Sequence, residues 1–407
     1  MNRKADSTKD KIIQSAFSFY DRVLFHKVSL SKIASRAGIT KAAIYKHFKS
    51  RDDLERTLQD RFFEDVASAV KAASADRAGH SALENCILIF CRNKEYLYYF
   101  MSMVPHFSTV SFLNDLNEKS RGGIAWLDKL FDKTGDIVSK NLYEDIVFVA
   151  GTIILFQSSR DYAMRRMNKA DSDEYICDYA KKLTLFIRKG IGHDLSHTGM
   201  QRLAELDVLC RQKQLLPEPD SIIKSVSSII KRDGVYSVTV DAVASEIGFV
   251  KSSLYTKYSS WDEILGNLIR KEYLQLFDEI RKNLLHAENS AENLYIIMET
   301  ELDYFIRRKE ILSVFRWYQI QNRSDFLSEE AEEDFSDFYA FVCNSDLIEE
   351  LPDFGAFIDP AKTLISWIFH MPVFLLHDSE SRGSTEESIH AELKDIFFLM
   401  ECGKKLS

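Results

Sequence analysis

Lys41 and Lys46 bracket a short stretch in which Ala42, Ala43 and His47 share the face turned away from Ile44. Duplex DNA asks three things of a helix in its groove: cations for phosphates, polar groups for base edges, and small side chains that admit thymine methyls. This stretch supplies all of them except an amide. Thr40 is a good N-cap for the helix, Lys41–His47, and Ile44 faces inward with Ile39 and Phe48. Upstream, Ser29 is a second N-cap, placed before Leu30, Ile33, Ala34 and Ala37 at helical spacing, and Gly38 supplies the positive φ that ends that helix. Val28–Leu54 is therefore expected to fold as two short helices joined by a sharp turn, with a third helix behind them.

The flanks make the pattern specific. Gly38-Ile39-Thr40, Ala43-Ile44-Tyr45-Lys46-His47-Phe48 and Ser50-Arg51-Asp52-Asp53-Leu54 resemble the head of tetracycline-repressor-like (TetR family) transcription regulators, over about Lys9 to Phe63. The resemblance implies that Tyr45 and Arg51 grip phosphates and that Lys41, Ala42, Ala43, Lys46 and His47 meet bases; Ser29, Thr40 and Lys49 complete the expected DNA-binding set. The bland alternative is a helix-turn-helix-shaped corner in an ordinary helical protein, since bare patterns of this kind are weak. One departure is Leu24, where TetR-like heads commonly turn on a glycine.

The elements that must hold this stretch are legible in the apolar periodicity. A helix from Ser7 to about Val23 turns Ile12, Ile13, Ala16, Phe17 and Tyr20 to one side, and Arg51–Ala73 continues behind the head. By resemblance, the latter links head to body. Ala82–Val104, Ser111–Lys133, Leu142–Met167 and Asp173–Lys189 follow at the same spacing and predict a helical bundle. With 45% hydrophobic residues but only 6 Pro and 15 Gly in 407, where average usage gives roughly 20 and 28, the fold class is all-α. The net charge of −9 is unevenly spread: residues 1–50 carry 11 Lys/Arg against 3 acids, net +8, which leaves −17 for the remainder. A basic head on an acidic body confines DNA to one end.

The chain then repeats. The stretch beginning VYSVTVDAVASEIGFVKSSLY aligns without gaps to the one beginning FHKVSLSKIASRAGITKAAIY at an offset of 210, with Gly248 on Gly38, Tyr255 on Tyr45 and Tyr258 on Phe48. Lys309-Glu310 matches Lys94-Glu95, and Ala361–Asp378 resembles Asp145–Tyr162. The expected organisation is a first head at 1–50, a body at 51–190, a linker at 191–219, a second head at 220–260 and a second body at 261–407. By resemblance the last helices of the two bodies, about 142–189 and 358–402, pair within one chain as an internal pseudo-dimer, and further oligomerisation stays open. The second head is expected to touch DNA more weakly, through Thr239, Lys251, Ser252, Ser253, Tyr255 and Lys257. Its 5 basic and 5 acidic residues between Pro217 and Ser260 cancel, Val250 replaces the capping Thr40, and Trp261 stands at the place of Arg51.

The remaining constellations point less sharply. Phe100, Met103, Trp126, Phe156, Trp317, Trp367 and His370 are candidates to line a cavity for a small apolar or aromatic effector, against the reading that each aromatic stripe is simply core. His193 and His197 stand four apart but lack a third ligand nearby in sequence, so no metal and no cofactor is expected. The six cysteines form no CxxC pair and read as reduced residues of a cytoplasmic protein. The N-terminus lacks the apolar core of a signal peptide, and the longest apolar runs, of 11 and 13 residues, are too short to span a bilayer. No nucleophile elbow, phosphate loop or carboxylate pair suggests an enzyme. The function expected is a ligand-responsive repressor that binds double-stranded DNA. The alternative is an interaction protein whose bodies hold a protein partner while the second head is vestigial.

Overall fold

The computed structural model describes residues 7–20, 28–72, 81–103, 142–168, 172–211, 216–234, 237–256, 259–322, 351–355, 358–376 and 379–404. Helices carry the architecture, and among the described residues there is no strand. Two compact units emerge: Met1–Gly190 with Pro352–Asp359 and Gly403–Ser407, and Ile191–Leu351 with Pro360–Cys402.

The first unit starts with α1 (Thr8–Phe17), α2 (Leu30–Arg36), α3 (Lys41–Ile44) and α4 (Arg51–Ala72). Each start has a local cause. Ser7, Ser29 and Thr40 accept hydrogen bonds from the amides of Asp10, Lys32 and Ala43 at 3.1, 3.2 and 3.2 Å, which satisfies amides that a helix N-terminus otherwise leaves unpaired. At α4 the device is reciprocal: Ser50 Oγ accepts from the Asp53 amide at 3.2 Å, and Asp53 Oδ2 accepts from the Lys49 amide at 2.8 Å. Gly38, with φ of 70°, makes the turn between α2 and α3. Ile12, Ile13, Ala16, Ile33, Ala34, Ile44, Phe48 and Leu54 fill the small core beneath.

The body of this unit consists of α5 (Ala82–Arg92), α6 (Lys94–Met103), α7 (Leu142–Arg166) and α8 (Asp173–Lys189). The single helix expected over 82–104 is two helices, broken at Asn93, whose φ of −126° and ψ of 79° leave the helical region. The helix expected at Ser111–Lys133 lies outside the described residues. Helix α5 packs on α4, α6, α7 and α8, and α4 buries Leu58, Phe62, Phe63, Val66 and Ala67. Burial at this level stabilises by roughly 1.5–3 kcal/mol for each large side chain.

The second unit comprises α9 (Met200–Cys210), α10 (Ser221–Asp233), α11 (Val240–Glu246), α12 (Lys251–Leu254), α13 (Trp261–Leu284), α14 (Ser290–Arg307), α15 (Lys309–Asn322), α16 (Pro360–Leu376), α17 (Ser379–Arg382) and α18 (Glu386–Cys402). Its α11, α12 and α13 begin 210 residues after α2, α3 and α4, and Gly248 has a φ of 74°. Helix α14 is the centre, packed by α9, α13, α15, α16 and α18. The stretch read as a linker at 191–219 is built into this unit. Within it, Asp207 of α9 accepts hydrogen bonds from Tyr295 and Lys394, Arg202 bonds Glu292 at 3.0 Å, and Arg211 bonds Glu299 at 2.5 Å.

Burial pushes the thiols of Cys86 and Cys210 up to about 12, so neither is a ready thiolate. Cys86, Cys91 and Cys210 are buried, but Cys402 is exposed. Among the described residues no helix is long and apolar enough to cross a membrane.

Candidate nucleic-acid interface

Helix α3 is a single turn presented by the packing beneath it. Ile44 and Phe48 point into the core, and Lys9 lies over the Phe48 ring with Nζ 5.6 Å from its centroid. The opposite face is open: Thr40, Lys41, Ala42, Tyr45, Lys46, His47 and Lys49 are exposed and Ala43 half-exposed, with Tyr45 at 51% despite its aromatic ring. Among the described residues Lys41, Lys46 and Lys49 are held in no ion pair. Lys32, on the exposed side of α2, is equally free and was missed by sequence reasoning; only its place in the +8 charge of the head pointed to it. Ser29 is exposed at the entrance to α2 while its hydroxyl caps that helix.

Arg51 is differently placed from the rest. Its guanidinium donates from Nη1 to Val28 O at 2.7 Å and from Nε to Glu55 Oε1 at 2.8 Å. It thus fastens the start of α4 to the residue before the N-cap of α2. Nothing in the local sequence signals this, because Val28 lies 23 positions away.

The corresponding face of the second unit has another character. Thr239 caps α11 by accepting from the Ala242 amide at 3.2 Å, but Val250 gives α12 no side-chain cap. Lys251, Ser252 and Ser253 are exposed, yet Lys251 Nζ bonds Asp241 Oδ2 at 3.0 Å. Arg232 pairs with Asp233 and Glu246, and Lys224 with Glu218. Tyr255 and Trp261 pack against the cluster of Ala244, Leu254 and Ile264, so neither projects as Tyr45 does. Phe249 and Val250 are exposed instead, at 57% and 66%. Lys257 lies outside the described residues.

The aromatic candidates for an effector cavity divide. Phe156 and Trp367 are fully buried and Trp317 nearly so, which makes them core. Phe156 packs on Phe186 and Phe354 with ring centroids 5.1 and 5.2 Å apart. Phe100 is partly exposed and stacks on Phe62 of α4, centroids 6.1 Å apart and planes 24° from parallel. His370 is half-buried. Its Nδ1 donates to Ser366 O at 2.7 Å, and desolvation of the ring lowers its pKa against that bond. Trp126 and the Met103 side chain lie outside the described residues. A shallow groove of about 480 Å³ runs beside α9, between Arg202, Leu206 and Leu209 and the turn at Leu285–Glu288. None of the seven candidates lines it.

Residues 12–56 match the family of bacterial regulatory proteins, tetR family. An uncharacterized HTH-type transcriptional regulator of Mycobacterium tuberculosis is 26% identical over 81 residues, which cover 20% of this chain and 37% of that protein. The chain therefore spans little more than a third of that relative's length. Match and geometry fall on the same residues: the segment at 12–56, which contains α2, the Gly38 turn and α3, is similar to the DNA-binding head of the tetR family.

Proposed function

We propose that this chain is a DNA-binding transcription regulator, a ligand-responsive repressor made of two TetR-like units in tandem. It reads an asymmetric or pseudo-palindromic operator mainly through α3, with weaker help from α12. The observation that carries the reading is the exposed, unpaired cationic face of Lys41, Lys46 and Lys49 beside Tyr45, on a segment that matches the tetR family. Each phosphate such a lysine neutralises releases counterions, so affinity and its salt dependence both follow from that face. The coincidence of α11, α12 and α13 with α2, α3 and α4 at one offset supports the tandem reading. Pairing of the two halves within the chain, as an internal pseudo-dimer, belongs to the same proposal.

Release of DNA would run through α4. Its middle is tied to α1 by Arg61 and Asp10, 2.6 Å apart, and farther along it Tyr96 of α6 donates to Asp65 at 2.6 Å. An apolar or aromatic effector that displaces Phe100 from Phe62 shifts α4, and only in proportion to its preference for one of the two states. Selection of bound sequences from a random duplex library, with the mass of the complex, tests the reading. Enrichment of one operator supports it, and failure to enrich any sequence at low salt overturns it.

The exposed pair Phe249 and Val250, beside lysines and arginines already held by carboxylates, favours a second reading for α12 alone. Here the second head is vestigial toward DNA and available to a protein partner. A Phe249→Ser, Val250→Thr double variant with unchanged partners and unchanged DNA affinity would remove that reading.

A further inference from the structure

We infer that the second unit binds one first-row divalent cation between α14 and α18, at Asp303, Glu386 and His390. The two helices pack against each other, and each presents a pair of polar residues one turn apart: Glu299 and Asp303 on α14, Glu386 and His390 on α18. One ligand atom from each of Asp303, Glu386 and His390 lies within 4.8 Å of the other two. Ligands about 2.0–2.2 Å from a tetrahedral metal stand roughly 3.3 Å from one another, so closing the site takes rotamer adjustment and no movement of helices.

The imidazole is what needs explaining. His390 is 2% exposed, and neither of its ring nitrogens has a hydrogen-bond partner. Its Nδ1 comes within 2.7 Å of Glu299 Oε1, but that approach is misdirected for a hydrogen bond. A buried polar atom left in this state opposes folding, because it has given up water without gaining a partner. Coordination through Nε2 satisfies one nitrogen, and a small rotation then lets Nδ1–H donate to Glu299, the carboxylate–histidine arrangement that fixes a metal-bound ring. Glu299 is itself held by Arg211, and Asp303 Oδ2 by Arg307 Nε at 2.7 Å, so both carboxylates are oriented beforehand.

Charge points the same way. The ion pairs that lead to Glu299 and Asp303 join Asp207, Glu279, Glu299 and Asp303 to Arg211, Arg307 and Lys394; with Glu386 this makes five carboxylates to three cations. A divalent ion closes that difference. Glu386, exposed at the start of α18, gives the ion a way in and leaves a fourth position for water. One imidazole with two carboxylates suits Zn²⁺, Mn²⁺ or Fe²⁺ better than Mg²⁺, which prefers all-oxygen shells. Sequence reasoning expected no metal, and this site escaped it because Asp303 lies 83 positions before Glu386 on a separate helix.

The test uses the tagless full-length chain, stripped with a chelator and titrated with Zn²⁺ in a calorimeter, with Co²⁺ as a spectroscopic probe. The expected result is one Zn²⁺ per chain, a visible Co²⁺ band, and a rise of Tm with Zn²⁺. His390→Gln should abolish the Co²⁺ band. Glu386→Gln, at an exposed position that leaves the fold intact, should weaken Zn²⁺ at least tenfold and shrink the Tm rise at the same Zn²⁺ concentration. Absence of stoichiometric binding, or equal binding by wild type and Glu386→Gln, would overturn the site and leave His390 as a structural partner of Glu299.

Discussion

Lys251 Nζ lies 3.0 Å from Asp241 Oδ2, so the first turn of α12 is bonded to the first turn of α11. At the same offset the first unit has Lys41 and Ser31, and Lys41 is free of any carboxylate among the described residues. One lysine must leave a partner to meet a phosphate, and the other need not. Exposed pairs of this kind add little to stability, so their effect falls on binding.

Exchanging the two acid positions should therefore exchange the behaviour. Asp241→Ser should raise operator affinity and steepen its dependence on log salt by up to about one unit, while Ser31→Asp should lower affinity and flatten that dependence similarly. Fluorescence anisotropy titrations at four salt concentrations check this. Equal slopes in wild type and both variants would detach the pairing from DNA binding.

The exposed face of α3 leads to a direct prediction. Lys46→Ala and Tyr45→Phe should each weaken operator binding by roughly 1–3 kcal/mol, with Tm unchanged, since neither side chain contributes to the core. If both variants bind like wild type at fixed salt, α3 is not the reading helix.

Arg51 should behave otherwise. Removing a guanidinium that bonds Val28 O and Glu55 unfastens α4 from the entrance to α2. Arg51→Ala should lower Tm by a few degrees, on the scale of roughly 2–4 °C per kcal/mol for a unit of this size, and lower DNA affinity with it. A loss of affinity with no change in Tm would instead place Arg51 on a phosphate.

These cases show what was legible beforehand. Ser29, Thr40 and Gly38 could be read because a cap or a left-handed turn is decided within four residues. The bond from Arg51 to Val28 could not be, because it depends on how tertiary packing brings the start of α4 beside a residue 23 positions earlier. Asn93 breaks the helix expected over 82–104 although the apolar spacing runs through it. Periodicity reports which face is buried, and two helices bending around one core can share a face. Phe156 and Trp367 illustrate the converse, since an aromatic at helical spacing looks the same whether it lines a cavity or fills one.

Glu301 makes stability depend on pH. It is fully buried, and desolvation holds its carboxyl well above the ordinary carboxylate range. A folded-state pKa raised above the unfolded one contributes stability below the unfolded value, near 4.5, and that contribution is lost as pH rises toward the folded value. Glu301→Gln, neutral at every pH, should raise Tm at pH 8 by several degrees and by much less at pH 5. A shift that is the same at both pH values would mean that ionisation of Glu301 plays no part.

On the tandem reading proposed above, the two heads differ most where DNA binding is most sensitive. Residues 1–50 carry a net +8, whereas the stretch from Pro217 to Ser260 is neutral, with Lys224, Arg232 and Lys251 already paired. A two-fold dimer reads a palindrome because its half-sites meet identical surfaces. Two unequal heads on one chain, as proposed, would be released from that constraint. The selected operator should contain one strongly specified half-site and one weakly specified one, and Lys41→Ala should cost far more affinity than Lys251→Ala. A rival arrangement, in which two chains associate and present two first heads, restores the palindrome and doubles the mass of the complex. Mass measured on the bound protein separates these outcomes. A perfect palindrome held by one chain, with equal losses from the two lysine substitutions, would show that the charge difference has no bearing on recognition.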